Sequence, residues 1–157
     1  MGQGWIFAIC VIALTVAAME FVALALHKYV MHGPGWGWHR SHHEPGEGWF
    51  ERNDLYALVF AGISLLLFTV GAAAHPALYW VAVGTAVYGL LYFLVHDGLV
   101  HRRMGRLSPP RVGYLKRLYQ AHRIHHAVKG RTGCVSFGFL YAPRVEELKR
   151  KLREQGA

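Results

Sequence analysis

Three long apolar runs dominate the chain, at positions 5–26, 55–74 and 77–95. The first is interrupted only by Thr15 and Glu20, and the other two carry no charged residue. Each is long enough to cross a hydrocarbon core of roughly 30 Å as a helix. The helical pattern of the first run continues to His32, giving roughly 40 Å at 1.5 Å per residue, so His27 and His32 are expected just beyond the membrane surface. The third run extends in the same way to carry His96 and His101. His75-Pro76 is a very short connection, so the second and third runs must lie side by side and antiparallel. No Lys or Arg precedes the first run, which therefore lacks the basic start of a cleaved signal peptide and reads as a retained span.

Between and after these runs the pattern turns polar. Gly33-Pro34-Gly35 breaks the first helix, and a short segment then carries His39, His42 and His43. Pro45, Gly46 and Gly48 mark a turn. Trp36, Trp38, Trp49 and Phe50 gather where interfacial aromatics are expected. Asn53-Asp54 is a suitable N-cap for the second span. Past Arg102 the chain is basic, with an interfacial helix expected over 114–126 and an apolar run over 134–141 too short to span. A charged helix over 143–154 reads as a solvated face. The expectation is an all-α integral membrane protein, a single domain over 1–157. Three transmembrane helices would carry a histidine-rich cytoplasmic cap built from 27–54 and 96–143.

Charge fixes the sidedness. The chain has 17 Lys and Arg against 9 Asp and Glu, and every basic residue falls on the side that holds the histidine clusters. By the positive-inside rule that face and the C-terminus are cytoplasmic and the N-terminus is outside. The basic excess is thus explained without nucleic acid, which is not expected as a partner. Cys10 and Cys134 are far apart and form no CxxC, which argues against a cysteine-zinc site, an iron–sulfur cluster or a disulfide framework.

Ten of the 11 histidines fall into four clusters, His27/His32, His39/His42/His43, His96/His101 and His122/His125/His126. Helical residues three and four apart share a face, so each HxxHH run presents three imidazoles from about one turn. The HxxxxH pairs are about 140° out of phase on an α-helix. They would flank two metals, or meet at one if the helix unwinds at Gly33 or Gly98. Two octahedral metals need about twelve donors, and ten histidines leave about two positions for oxygen ligands. One zinc needs only four, and there is no HExxH to supply a zinc protease with its base. A bis-imidazole haem calls for one histidine from each of two helices, not triplets.

These motifs resemble the membrane fatty acid hydroxylase superfamily, and within it the bacterial β-carotene 3-hydroxylases. The likeness rests on His27-Lys28-Tyr29-Val30-Met31-His32, His39-Arg40-Ser41-His42-His43, His96-Asp97-Gly98-Leu99-Val100-His101 and His122-Arg123-Ile124-His125-His126. Phe50-Glu51-Arg52-Asn53-Asp54 and the run from Gly133 to Pro143 belong to it as well. The wider superfamily usually has four spans, where three are readable here. The resemblance implies oxygen-dependent hydroxylation of a carotenoid ring at C3, with β-carotene passing through β-cryptoxanthin to zeaxanthin in a bacterial inner membrane. It implies two iron ions held by the ten histidines, O2 as co-substrate, a carotenoid drawn from the bilayer and a ferredoxin-type reductant.

Neutral imidazoles leave metal charge uncompensated, so nearby carboxylates matter. Asp97 is the candidate to orient an imidazole from behind the ligands, and Glu44 lies beside His43. Glu20 is an ionisable residue inside a span and so a functional candidate. Phe137, Phe139 and Tyr141 are candidates for a channel wall or for core packing. Arg102 and Arg103 either pair with site carboxylates or mark the membrane surface. His75, on the opposite side, is excluded from the site. The alternatives are a hydroxylase or desaturase acting on a fatty acid or sterol, and a non-enzymatic membrane metal carrier. The carrier reading wants ligands along a path through the bilayer, whereas the spans hold one carboxylate.

Overall fold

A computed structural model of the chain describes residues 2–44, 48, 50–105 and 108–155. The turn expected at Pro45 and Gly46 and the interfacial Trp49 lie outside the described residues. Every regular element among the described residues is helical. Three helices are long and apolar enough to cross a membrane, Gly4–Met31, Asp54–Ala74 and Pro76–Val100. The protein is an all-α membrane protein with three spans and a histidine-rich cap. Span 1 is α1 (Gly2–Ala25) continued by a π-helical turn over Leu26–Met31. Span 2 is α3 (Asp54–Leu66), a π turn over Leu67–Gly71 and α4 (Ala72–Ala74). Span 3 is α5 (Pro76–Tyr92) followed by a π turn over Phe93–Val100. The cap adds α2 (Trp36–His43), α6 (Gly113–His125) and α7 (Val145–Glu154).

Spans 2 and 3 meet at His75, whose backbone is extended (φ −156°, ψ 128°). Its Nδ1 accepts from the Ala77 N–H at 3.1 Å, and Pro76 occupies the first helical position, where its missing N–H costs nothing. Span 3 packs against both other spans. Small residues permit the close approach: Ser64 Oγ donates to the Ala82 carbonyl at 3.1 Å, and Gly84 abuts span 1. A methyl group at Gly84 would lie 2.6 Å from Thr15 Cβ and 3.1 Å from the Ile12 carbonyl oxygen. Gly84→Ala is therefore expected to cost about 1–3 kcal/mol through overpacking. The thermal unfolding midpoint in detergent would show it; an unchanged midpoint would mean that the spans do not meet at this distance.

With span 3 in the middle, a groove of about 490 Å³ is left along it, walled by Met19 and Ala23 of span 1 and by Phe60 and Phe68 of span 2. It runs from Phe68, about two-thirds of the way along span 2, to Tyr56 and Asp97 at the histidine end. Those are about 12 residues, or roughly 18 Å of helix.

The cap has its own core. Leu118, Ala121, His122 and His125 are the buried residues of α6, spaced as one face of an amphipathic helix. Leu118 and Ala121 pack with Val135, Ala142 and Leu148. The terminal helix, expected only as a solvated face, thus buries one edge: Leu148 of α7 is 1% exposed. Its charges pair along the outer side, Lys151 with Glu147 at 2.8 Å.

Candidate metal centre

The ten clustered histidines converge in the cap, and His75 stays at the far corner. They form two groups. His27, His32, His39, His43 and His125 bring nitrogens within 4.8 Å of one another, and so do His42, His96, His101 and His122. His126 joins the second group through His122, Nε2 to Nε2 at 2.9 Å. The two HxxHH runs are divided reciprocally. The first sends its outer pair to one group and His42 to the other; the second sends His122 and His126 to the second group and His125 to the first. Helical spacing explains the split, since residues four apart lie close and the residue between them points aside.

Each HxxxxH pair meets within one group, which a plain α-helix forbids. The helices neither unwind at Gly33 nor at Gly98. They widen: the His32 N–H donates to the His27 carbonyl at 3.0 Å and the His101 N–H to the His96 carbonyl at 2.9 Å. These are the five-residue bonds of a π turn, and they bring positions five apart onto one face.

Seven imidazoles have an oxygen at Nδ1. His27 donates to Phe137 O at 2.8 Å, His32 to Arg131 O at 2.9 Å, His43 to Val128 O at 3.0 Å and His125 to Val135 O at 3.1 Å. His39 donates to Asn53 Oδ1 at 2.7 Å, His42 to Glu51 Oε2 at 2.8 Å and His96 to Asp97 Oδ1 at 2.7 Å. Carbonyls and carboxylates only accept, so Nδ1 carries the proton and Nε2 is left with a lone pair. Yet Nε2 faces Nε2 across His27–His39, His39–His43, His43–His125, His32–His125 and His42–His96 at 3.0–3.2 Å. Lone pair would meet lone pair at every one of these contacts, and a shared cation removes the conflict. Burial keeps the rings neutral: it pushes His39 down to about 3, His43 and His101 to about 4, and His42, His122 and His125 well below the usual imidazole range.

The spacing also bears on coordination number. Two nitrogens about 2.1 Å from a metal are about 3.0 Å apart at a right angle and about 3.4 Å apart in a tetrahedron. The observed contacts fit the right angle. Five imidazoles per group would leave one position of an octahedron for another ligand. The residues present therefore fit two six-coordinate metals, and they fit tetrahedral zinc poorly.

The surroundings hold several departures from expectation. Asn53 makes no side-chain cap for α3, because its amide oxygen is engaged by His39; Asp54 instead accepts from the Glu51 N–H at 2.9 Å. Glu51 behind His42 is the carboxylate that sequence reasoning missed, since the connecting loop gives no periodicity to place it. Glu44 points outward to Arg40 at 2.8 Å. Arg103 grips Asp54 with both terminal nitrogens at 2.8 and 2.7 Å and lies 3.7 Å from Asp97, so it joins the site carboxylates rather than only marking the surface. Trp36 packs on His32 and His43, while Trp38 and Phe50 are exposed. Phe139 stacks on His27 at 5.0 Å and Tyr92 on His96 at 4.5 Å, and both line the inner end of the groove. Phe137 packs on His27, His32 and His125; Tyr141 is exposed.

Glu20, undecided from sequence, is a clamp. Its carboxylate accepts from the N–H groups of Phe139, Leu140 and Tyr141 at 2.9, 3.0 and 3.0 Å and from the Tyr88 hydroxyl at 2.8 Å. It pins the irregular 134–141 run to span 1, and with it the carbonyls that hold His27 and His125.

Comparison with known proteins agrees with this arrangement. The family model described as fatty acid hydroxylase matches residues 12–143. A protein named beta-carotene hydroxylase from Pantoea ananas is 58% identical over 151 residues, 96% of this chain and 86% of that protein. One of the same name from Paracoccus sp. (strain PC1) is 56% identical, over 93% of this chain and 91% of its own. The chloroplastic beta-carotene 3-hydroxylase 1 of Arabidopsis thaliana is 38% identical, over 86% of this chain and 45% of its longer sequence. No solved structure matches significantly. With its four histidine motifs and both histidine groups inside the matched region, the chain belongs to the fatty acid hydroxylase family.

Proposed function

We propose that this protein hydroxylates carotenoid β-ionone rings at C3, converting β-carotene through β-cryptoxanthin to zeaxanthin, with two irons held by the ten histidines. The observation that carries the reading is the juxtaposition of two five-imidazole groups with the inner end of an apolar groove. The names of the relatives support the substrate, and the plastid proteins' names support position 3. Overall, a ring C–H, O2, two electrons and two protons give a ring C–OH and water. When bound, the irons supply oxygen activation and one-electron chemistry, which no side chain here offers. The chain supplies the placement. Spans 1 and 2 hold one end of a long hydrocarbon along span 3, and Phe139 and Tyr92 stand between that end and the imidazoles. The backing oxygens fix each ring's tautomer and direction.

The groove favours a hydrocarbon over a fatty acid or sterol. Its hydroxyls are engaged within the protein: Tyr56 donates to Gly35 O, Ser64 to Ala82 O, Thr85 to Val81 O and Tyr88 to Glu20. A carboxylate entering this groove would lose its water, meet hydroxyls that have already donated and face the Asp97 carboxylate, while a sterol hydroxyl would exchange its water partners for Asp97 alone. A metal carrier is disfavoured because the imidazoles sit at one end of the spans. By the positive-inside rule the basic residues favour a cytoplasmic histidine face on a bacterial inner membrane, a surface suited to docking of an acidic ferredoxin-type donor.

Expression in cells that accumulate β-carotene tests the reading. Zeaxanthin, with β-cryptoxanthin on the way, is expected on pigment analysis, and about two irons per chain in the purified protein. Ketocarotenoids, unchanged β-carotene, or zinc as the sole metal would overturn it.

A further inference from the structure

The two histidine groups differ in what stands behind them. In the group of His27, His32, His39, His43 and His125, all five Nδ1–H groups donate to neutral acceptors, four main-chain carbonyls and the Asn53 amide. A cation also lies close: Lys129 Nζ donates to the His43 carbonyl at 3.2 Å. In the other group, His42 and His96 donate to the carboxylates of Glu51 and Asp97 at 2.8 and 2.7 Å. Arg103 is committed chiefly to Asp54, 2.7 Å away against 3.7 Å for Asp97. Glu51, Asp54 and Asp97 thus place three carboxylates on this side, with the Arg103 guanidinium among them.

From this we infer that the two metal positions are unequal, and that the carboxylate-backed position holds its metal more tightly. This rests on the two-metal reading above. A carboxylate behind an imidazole raises its basicity and offsets the metal's charge through the ring, and losing such a partner typically weakens metal binding 10–100-fold. Neutral ligands make the effect matter more, because no ligand in either group compensates a dication. Carbonyl acceptors orient a ring equally well but add no charge. Asp97 and Tyr92, the latter stacked on His96, both line the groove, so the tighter position borders the hydrocarbon, as the other does through Phe139 on His27.

Titration of the metal-free, detergent-solubilised protein with Co2+, followed by visible absorption and calorimetry, tests this. Two steps of one Co2+ each are expected. His42→Ala should remove the first step and His32→Ala the second. Glu51→Gln and Asp97→Asn keep an acceptor oxygen and nearly the same shape, and each should weaken the first step about 10–100-fold while leaving the second in place. Either carboxamide variant decides the matter alone, so the test stands even if the other does not fold. Two equal sites, or carboxamide variants that weaken both steps alike, would overturn the inference. Uptake of one Co2+ or none by the unsubstituted chain would instead overturn the two-metal reading.

Discussion

Turnover in the His125→Ala protein is expected to fall by more than about 100-fold, with the helical content and membrane insertion retained. His125 is 0% exposed, and its Nε2 lies 3.1 Å from that of His43 and 3.2 Å from that of His32. It therefore joins the HxxxxH pair of span 1 to the run on α2, and without it the proposed five-nitrogen set loses its central member. Removing an outer hydrogen-bond partner of a ligand already costs roughly 10–100-fold, so removing the ligand should cost more. The variant should also lose about one iron per chain. The Val135 carbonyl left behind adds a stability cost of roughly 1–3 kcal/mol, small enough for insertion to survive. His75→Ala is the control. That imidazole accepts only from the Ala77 N–H, so its loss should cost about 1 kcal/mol of stability, as at other helix caps, and no turnover. Full activity and two irons in His125→Ala would rule out the proposed ligand set.

The second large effect is expected at Glu20 of span 1. Its two oxygens receive three main-chain N–H groups and one phenol. Glu20→Ala leaves three backbone donors without their acceptor, those of Phe139 and Leu140 half-buried, at roughly 1–3 kcal/mol each where buried, so a loss on the order of 4 kcal/mol is expected. Packing admits no easy repair. A Cβ at Gly138 would lie 2.8 Å from Glu20 Oε1 and 2.5 Å from the Tyr141 carbonyl oxygen, so the loop and the carboxylate are fitted closely together. Turnover should drop as well, since the same loop carries the Phe137 carbonyl that holds His27 and the Phe139 ring stacked on it. Glu20→Gln keeps one acceptor oxygen and should fall between the two. Thermal unfolding in detergent, together with iron content, would measure both variants; a Glu20→Ala protein as stable as the unsubstituted one would dismiss the clamp.

The spans were legible because hydropathy over about 20 residues is a one-dimensional property, and the fold class followed from it. The HxxHH runs could be placed on helical faces for the same reason. What the sequence concealed lies where geometry departs from the ideal helix or where distant segments meet. Spacing alone put His27 and His32 out of phase, and the π turn that brings them together has no residue signature. Asn53 looked like a cap because cap chemistry and imidazole backing both need an amide oxygen beside a helix start. Glu51 and Glu44 were equivalent on paper, each a carboxylate near an HxxHH run; only the path of the loop decides that one faces His42 and the other Arg40. Glu20 could be recognised as costly in a span, but its partners are about 120 positions away.

Four of the acceptors behind the first histidine group are main-chain carbonyls, at Val128, Arg131, Val135 and Phe137, and every amino acid carries that group. Exchanging those four side chains leaves the oxygens where they are, so an alanine scan would register lost packing at Val135 and Phe137 but no lost acceptor along this wall. The same scan would strike Glu51, Asn53 and Asp97 at full force. The difference between the two sides of the centre would then record which kind of atom a substitution can delete. Single-residue deletions within 128–137 are the perturbation that reaches the carbonyl side, because they shift the backbone itself.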